Sequence, residues 1–374
     1  MLNIWFEFIK SNYFSTFVNS KKQNVHMKDI FSRRLKIARK IKGMSLMKLS
    51  KAMDGIVSAN ALAKYERGEI FPSSNVMIKL SSVLDVSVDD FFRPITVCID
   101  VDSIKYRKRA SLGKKEIESI NCYASARLEK YLEVEKMSGE TSVFSINYFD
   151  VPIKSESDVL TIASRFRQDF NLGNSPISNP IEILESAGVK IIEVDASPKF
   201  DGDSFTCGDV FVIVLNKNFT AERKRMSLFH ETGHKVMNIP DGMNEERLCN
   251  VFANEVLLPS DIFIQKIGKI RKDISLVELK DLQRQYGISV EAMMVKARQL
   301  GIISENRYTC FYKHKNSSKK FKKEVEDSVF HEEYCKRYER LVFKLLSNEV
   351  ITESKCASLL ETNLSDVHNR LNLI

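Results

Sequence analysis

Between residues 29 and 92, apolar residues recur at helical spacing in short bursts broken by glycine, serine and proline. Phe31, Leu35, Ile37, Ala38 and Ile41 share one face of a first helix, which Gly43 stops. Ser45 caps a second helix that turns Leu46, Leu49 and Ala52 inward, and Gly55 marks the turn after it. Ser58 caps a third helix ending at Gly68. Pro72 with Ser73 or Ser74 opens a fourth that runs through Leu84, and a short fifth covers Val88 to Phe92. Five short helices with a tight turn between the second and third predict a helix-turn-helix module.

The pattern then changes. Residues 95–112 leave through Pro94 and a basic run at Lys105, Arg107, Lys108 and Arg109. Lys114 to Met137 alternates charges along a helix with an apolar side of Ile117, Ile120, Leu128 and Leu132, which reads as a solvent-bathed connector or a dimer helix. Ser155–Phe170 and Ile181–Ala187 read as helices, and Val189–Val194 and Val210–Leu215 as strands. A Gly/Asp/Ser-containing loop at 197–209 separates the strands and carries Cys207, either an ordinary thiol or a ligand that blocks a metal site when reduced. A small sheet of this kind could hold an extended peptide along its edge. Ala221 to Lys235 contains no proline, with Thr220 as N-cap and Pro240 ending the run. After a Pro-Asp-Gly turn at 240–242, a second apolar helix opens at Glu245 and Glu246 and runs to Leu258. Residues 276–303 are again helical around Gly287-Ile288-Ser289, 313–323 form a basic linker, and 351–371 form a small helical hairpin.

The chemistry concentrates in Ser227 to Pro259. His230, Glu231 and His234 stand in the order H-E-x-x-H. Positions i and i+4 share a helix face, so both imidazoles can meet one ion, and Glu231 is placed to act as general base. Zinc takes imidazole nitrogen, and its catalytic sites use three protein ligands. An extension to H-x-x-G-x-x-H is excluded, because Met237 and Pro240 occupy its later positions. The third ligand is then sought at Glu245 or Glu246 on the second helix, with Asn250, one turn beyond Glu246, as a partner that steadies it. His314, His331 and His368 lack ligand spacing.

The H-E-x-x-H together with Glu246, Cys249, Asn250, Phe252, Ala253, Leu257, Leu258 and Pro259 resembles the ImmA/IrrE family of metallopeptidases. The resemblance favours Glu246 over Glu245 as ligand. Cys249 and Thr232 depart from the alanine and leucine usual there, and neither removes a ligand. The spacing of Leu49, Ala52 and Val57, the Y-E-R-G at 65–68 and the closing L-x-V-S-x-D-x-F resemble the Cro/C1-type (XRE) DNA-binding domain over 28–92. In such folds the third helix enters the major groove. Ser58, Ala59, Asn60 and Lys64 then face bases, with Asn60 able to pair with adenine and Ala59 with a thymine methyl. Arg33, Arg34, Lys36, Arg39, Lys42, Lys48 and Arg67 are the expected phosphate contacts. Residues 276–303 resemble the winged-helix-like tail that follows the peptidase in this family, with a packing role expected.

The chain has 374 residues, 57 Lys and Arg against 49 Asp and Glu, and a net charge of +8. That excess permits nucleic-acid binding without requiring it. Seven scattered cysteines with no C-x-x-C pair suit reduced, cytosolic thiols. The longest apolar run, Val210 to Leu215, is far too short to span a bilayer, and Glu7 and Lys10 break the aromatic N-terminal stretch, so neither membrane insertion nor a secretory signal is expected. The expected architecture is multidomain: an unassigned extension at 1–26, with Met27 an equally good start; an all-α helix-turn-helix domain at 27–94; a helical connector at 95–149; an α+β zincin-like peptidase domain at 150–265; and a helical C-terminal tail at 266–374. The expected partners are a palindromic double-stranded operator read by a homodimer and a protein substrate. The resemblance implies a bacterial, phage or mobile-element regulator that cleaves a repressor or antitoxin-like protein, or itself. The contrasting reading is a regulator or antitoxin that uses the peptidase fold as a sensor without turnover; the intact Glu231 argues against it, since a sensor needs ligands but no base.

Overall fold

The computed structural model describes residues 27–96 and 112–371; the extension 1–26, the basic run at 105–109 and Cys98 lie outside the described residues. Helix α1 covers 27–41 and is followed by α2 (Leu46–Ala52), α3 (Ala59–Glu66), α4 (Ser74–Leu84) and a 3-10 turn at Asp89–Phe92. Next come α5 (Lys114–Ser138), α6 (Glu156–Asp169), α7 (Pro180–Ser186), β1 (Lys190–Val194), β2 (Gly202–Cys207) and β3 (Val210–Asn216). Then follow α8 (Ala221–Val236), α9 (Glu245–Leu257), α10 (Ser260–Ile267), α11 (Leu276–Tyr286), α12 (Val290–Gln299), α13 (Glu305–Ser317) and α14 (Lys319–Glu326). The chain ends in α15 (Arg337–Ser347), α16 (Glu353–Leu360) and α17 (Leu364–Leu371).

The described residues form two compact units. One gathers 27–96, 112–133 and 342–371, the other 134–341, so α5 and α15 each contribute to both. In the first unit, Phe31, Leu35, Leu49, Leu62, Leu80 and Phe91 make a small closed core. The helix starts follow their serines: Ser45 Oγ accepts from the Lys48 amide and Ser58 Oγ from the Ala61 amide, each at 3.2 Å. Asp85 ends α4 in the left-handed region at φ 56°. The expectation of a solvent-bathed α5 is corrected. Leu128 and Tyr131 are fully buried, and so is Glu129, which meets Arg34 at 2.7 Å. Lys130 reaches Glu361 of the loop after α16 at 3.0 Å. Alternating charge marks a helix that pairs its charges, and pairing happens inside a structure as well as on its surface.

The second unit is built on a three-stranded sheet of order β1-β3-β2. β1 runs parallel to β3, Lys190 opposite Val212; β2 runs antiparallel to it, from Gly202 opposite Leu215 to Cys207 opposite Val210. Being central, β3 is apolar along nearly its whole length and buried from Phe211 on. The stretch read as a loop at 197–209 contains β2. Gly-Asp-Ser-Phe-Thr-Cys lacks the apolar run of a central strand and suits a half-exposed edge. α8 and α9 pack side by side, and Gly233 lets them approach: a Cβ there would lie 3.1 Å from the Phe252 ring and 3.5 Å from Cys249 Cα. One core runs from Phe144 to Val325, so α11 to α14 share it with the sheet. Among the described residues, no helix is long and apolar enough to cross a membrane.

Candidate metal centre and DNA-binding face

In the second unit, α8 carries His230, Glu231 and His234, all on turns buried against the sheet and α9. The two imidazole Nε2 atoms lie 3.0 Å apart. Glu246, in the first turn of α9, brings one carboxylate oxygen 3.3 Å from His230 Nε2 and the other 3.7 Å from His234 Nε2. Three donors at about 2.0–2.2 Å from one tetrahedral ion would be separated by about 3.3–3.6 Å, so this donor set fits zinc in both chemistry and spacing. The outer ring nitrogens are also engaged. His230 Nδ1 meets Asn250 Oδ1 at 2.9 Å and His234 Nδ1 meets Glu245 Oε1 at 3.0 Å. A proton donated outward at Nδ1 leaves the Nε2 lone pair facing the site. The two adjacent glutamates thus take different places, Glu246 inside the cluster and Glu245 behind His234. The partner found for Asn250 is His230, where the sequence suggested Glu246. Cys249 Sγ also touches His234 Nδ1, at 3.0 Å.

Burial lowers the proton affinity of His230, but its contact with Glu246 and the charge of Glu231 outweigh this and its pKa is raised. Glu231 is almost fully buried and accepts a hydrogen bond of 2.7 Å from Ser204 Oγ on β2. Sequence reasoning missed Ser204 because it lay in the supposed loop. Cys207, the last residue of β2, is not part of the His230–His234–Glu246 group.

In the first unit, α3 presents Asn60 and Lys64 to solvent, with Ala59 half-buried beside them and Ser58 holding the helix start. Arg67, just after α3, is exposed and pairs with Glu69 at 2.5 Å. Two arginines expected on phosphates are engaged elsewhere. Arg39 grips Glu66 through two hydrogen bonds of 2.5 and 2.9 Å and the Met44 carbonyl at 2.7 Å, tying α1 to α3. Arg34 is buried, donating to the carbonyls of Arg93 and Pro94 besides its pair with Glu129. The basic residues of α1 share the helical spacing of its apolar ones, so some of them face inward.

An all-α helix-turn-helix module in one unit and a small sheet carrying an H-E-x-x-H helix in the other define a multidomain protein that joins a DNA-binding domain to a peptidase-type domain. Residues 35–91 match a family model described as Helix-turn-helix, and residues 184–298 match one described as IrrE N-terminal-like domain, of the Peptidase_M78 type. The chain therefore fuses an XRE-type helix-turn-helix domain to an ImmA/IrrE-like domain; the second match extends through most of α12. No curated protein matches the chain.

Proposed function

We propose that this protein is a DNA-binding regulator whose second unit is a zinc-dependent peptidase acting on a repressor or antitoxin-like protein, or on the chain itself. The observation that carries this is the convergence of His230, His234 and Glu246 on one point, with Glu231 beside it. His230, His234 and Glu246 would hold zinc, which when bound supplies a Lewis acid for a peptide carbonyl and an acidified water. Glu231 then serves as general base and returns the proton to the leaving amine. Its hydrogen bond from Ser204 Oγ fixes the carboxylate in place beside the cluster. Asn250 and Glu245 hold the imidazoles in their ligating tautomers.

One zinc per chain is the expected stoichiometry. Alanine at His230 or His234 should abolish it, whereas Glu245→Ala should weaken it by about 10–100-fold, the usual effect of losing an outer hydrogen bond to a ligand. Metal analysis on purified variants decides. Both histidine variants still loaded with one zinc would move the site elsewhere, and Glu245→Ala losing zinc while Glu246→Ala keeps it would exchange the two glutamates.

On DNA, α3 enters the major groove, Ser58, Ala59, Asn60 and Lys64 meet base edges, and Arg67 meets phosphate. Asn60→Ala should cost about 1–3 kcal/mol at one base position and relax specificity there. Arg39 acts by positioning α3. Its alanine variant should weaken binding to all sequences with the salt dependence unchanged, whereas a phosphate contact would flatten that dependence. Titrations of the full-length protein on its own promoter, across a salt series, separate these outcomes. Absence of salt-sensitive binding at any promoter sequence would defeat the DNA-binding reading.

A further inference from the structure

A groove of about 500 Å³ adjoins the metal centre and shares Glu246 and Asn250 with it. Its first wall is one face of α9, where Glu246, Asn250 and Asn254 recur every fourth residue; its second is α12, with Ala292, Val295 and Gln299. Met226, one turn before His230 on α8, and Val251 complete an apolar floor. The volume falls within the range of about 300–1,000 Å³ typical of ligand sites, more than one side chain needs. Apart from Glu246, which faces the cluster, the charged residues lining the groove are Arg247 and Arg298. Each has an acidic neighbour, Arg247 with Glu156 at 2.6 Å and Arg298 with Glu305 at 3.4 Å. Both pairs lie at the surface, with Arg298 and Glu156 partly exposed, so each holds its arginine weakly and can yield it to another carboxylate. Arg298 is further steadied by the Tyr308 ring, 4.3 Å from its guanidinium carbon.

We propose that this groove is the specificity subsite of the peptidase, taking a substrate segment in which an apolar side chain stands next to an acidic one. The inference rests on the peptidase reading above. The apolar side chain fills the floor formed by Met226, Val251, Ala292 and Val295. The acidic neighbour displaces Glu305 or Glu156 from its arginine. The peptide bond to be cut then lies by Glu246 and Glu231, at the end of the groove. Specificity is thereby assigned to α9 and α12, with Met226 as the contribution of the H-E-x-x-H helix.

The test uses full-length, zinc-loaded Glu231→Gln protein to select from a displayed random heptapeptide library, so that bound peptides are not cut. Acidic-next-to-apolar pairs should be enriched. In the Arg298→Glu background that acidic preference should fall at least tenfold or turn basic. Val295→Trp, which fills the floor, should abolish selection with zinc content still at one per chain. Wild-type protein is tested in parallel on a proteome-derived peptide mixture, with cleavage sites read by mass spectrometry. Cleavage with no acidic or apolar preference, or selection indifferent to Arg298→Glu and Val295→Trp, overturns the subsite and leaves the peptidase standing. No cleavage and no selection by any zinc-loaded form overturns both.

Discussion

Replacing Glu231 with glutamine is expected to leave one zinc per chain and an unchanged affinity for DNA, while lowering proteolysis by about 10²–10⁴-fold, the usual effect of losing a general base. Glu231 lies outside the His230–His234–Glu246 cluster, so its charge can be removed without removing a ligand. The amide oxygen of glutamine can still accept the hydrogen bond that Ser204 Oγ makes at 2.7 Å, so the side chain keeps its place. The DNA-binding helix belongs to the other unit and has its own core. In cells the variant should therefore hold its target repressed after the inducing stress, because the substrate persists. A reporter assay with wild type, Glu231→Gln and His234→Ala, with immunoblots of the neighbouring repressor, reads this directly. Equal induction in all three strains would remove proteolysis from the switch and favour a sensor without turnover.

How much of this could be read in advance depended on how local the determining contacts are. The helix-turn-helix was legible because its caps and core lie within some sixty residues; Ser45 and Ser58 cap the helices their spacing announces. The histidine pair was legible for the same reason, since one helical turn fixes its geometry. Spacing alone left the two glutamates open and only the family resemblance favoured Glu246, because which of them enters the cluster is set by the rotation of α9 against α8. That rotation is set by packing at Gly233, Cys249 and Phe252. Ser204 was lost with β2, an edge strand whose composition imitates a loop. Arg34 and Arg39 show the limit of reading a basic stripe as a nucleic-acid face. Their partners are Glu129, ninety-five residues on in α5, and Glu66 in α3, and no local pattern announces either. The packing role expected of 276–303 is found in the shared core, but chain order does not reveal that 342–371 group with the DNA-binding module.

The same non-local logic gives the largest expected effect on stability. Glu333→Ala should destabilise the peptidase unit by about 3–5 kcal/mol, the usual consequence of leaving a buried ion without its partner. Arg225, one turn before the H-E-x-x-H stretch of α8, is 1% exposed. Its guanidinium meets Glu333 at 2.6 Å and the carbonyls of Tyr286 and Ile177 at 2.9 and 2.7 Å. The left-handed Gly287 keeps the space for it, since a Cβ there would lie 2.7 Å from Arg225 Nη1. Without Glu333 the charge stays buried with only neutral acceptors. For a unit of this size the loss corresponds to a melting point roughly 6–20 °C lower. Zinc at the proposed site would bind the folded state alone and offset part of the loss, so melts should be run with metal and with chelator. Removing both charges in Arg225→Met/Glu333→Leu should recover most of the stability, because the isolated charge is what costs. Faster hydrogen exchange along α8 in Glu333→Ala, absent from the double variant, would place the damage at this anchor. Unchanged melting in Glu333→Ala would mean that the Tyr286 and Ile177 carbonyls hold Arg225 without its carboxylate, leaving α8 positioned by its packing on the sheet and α9.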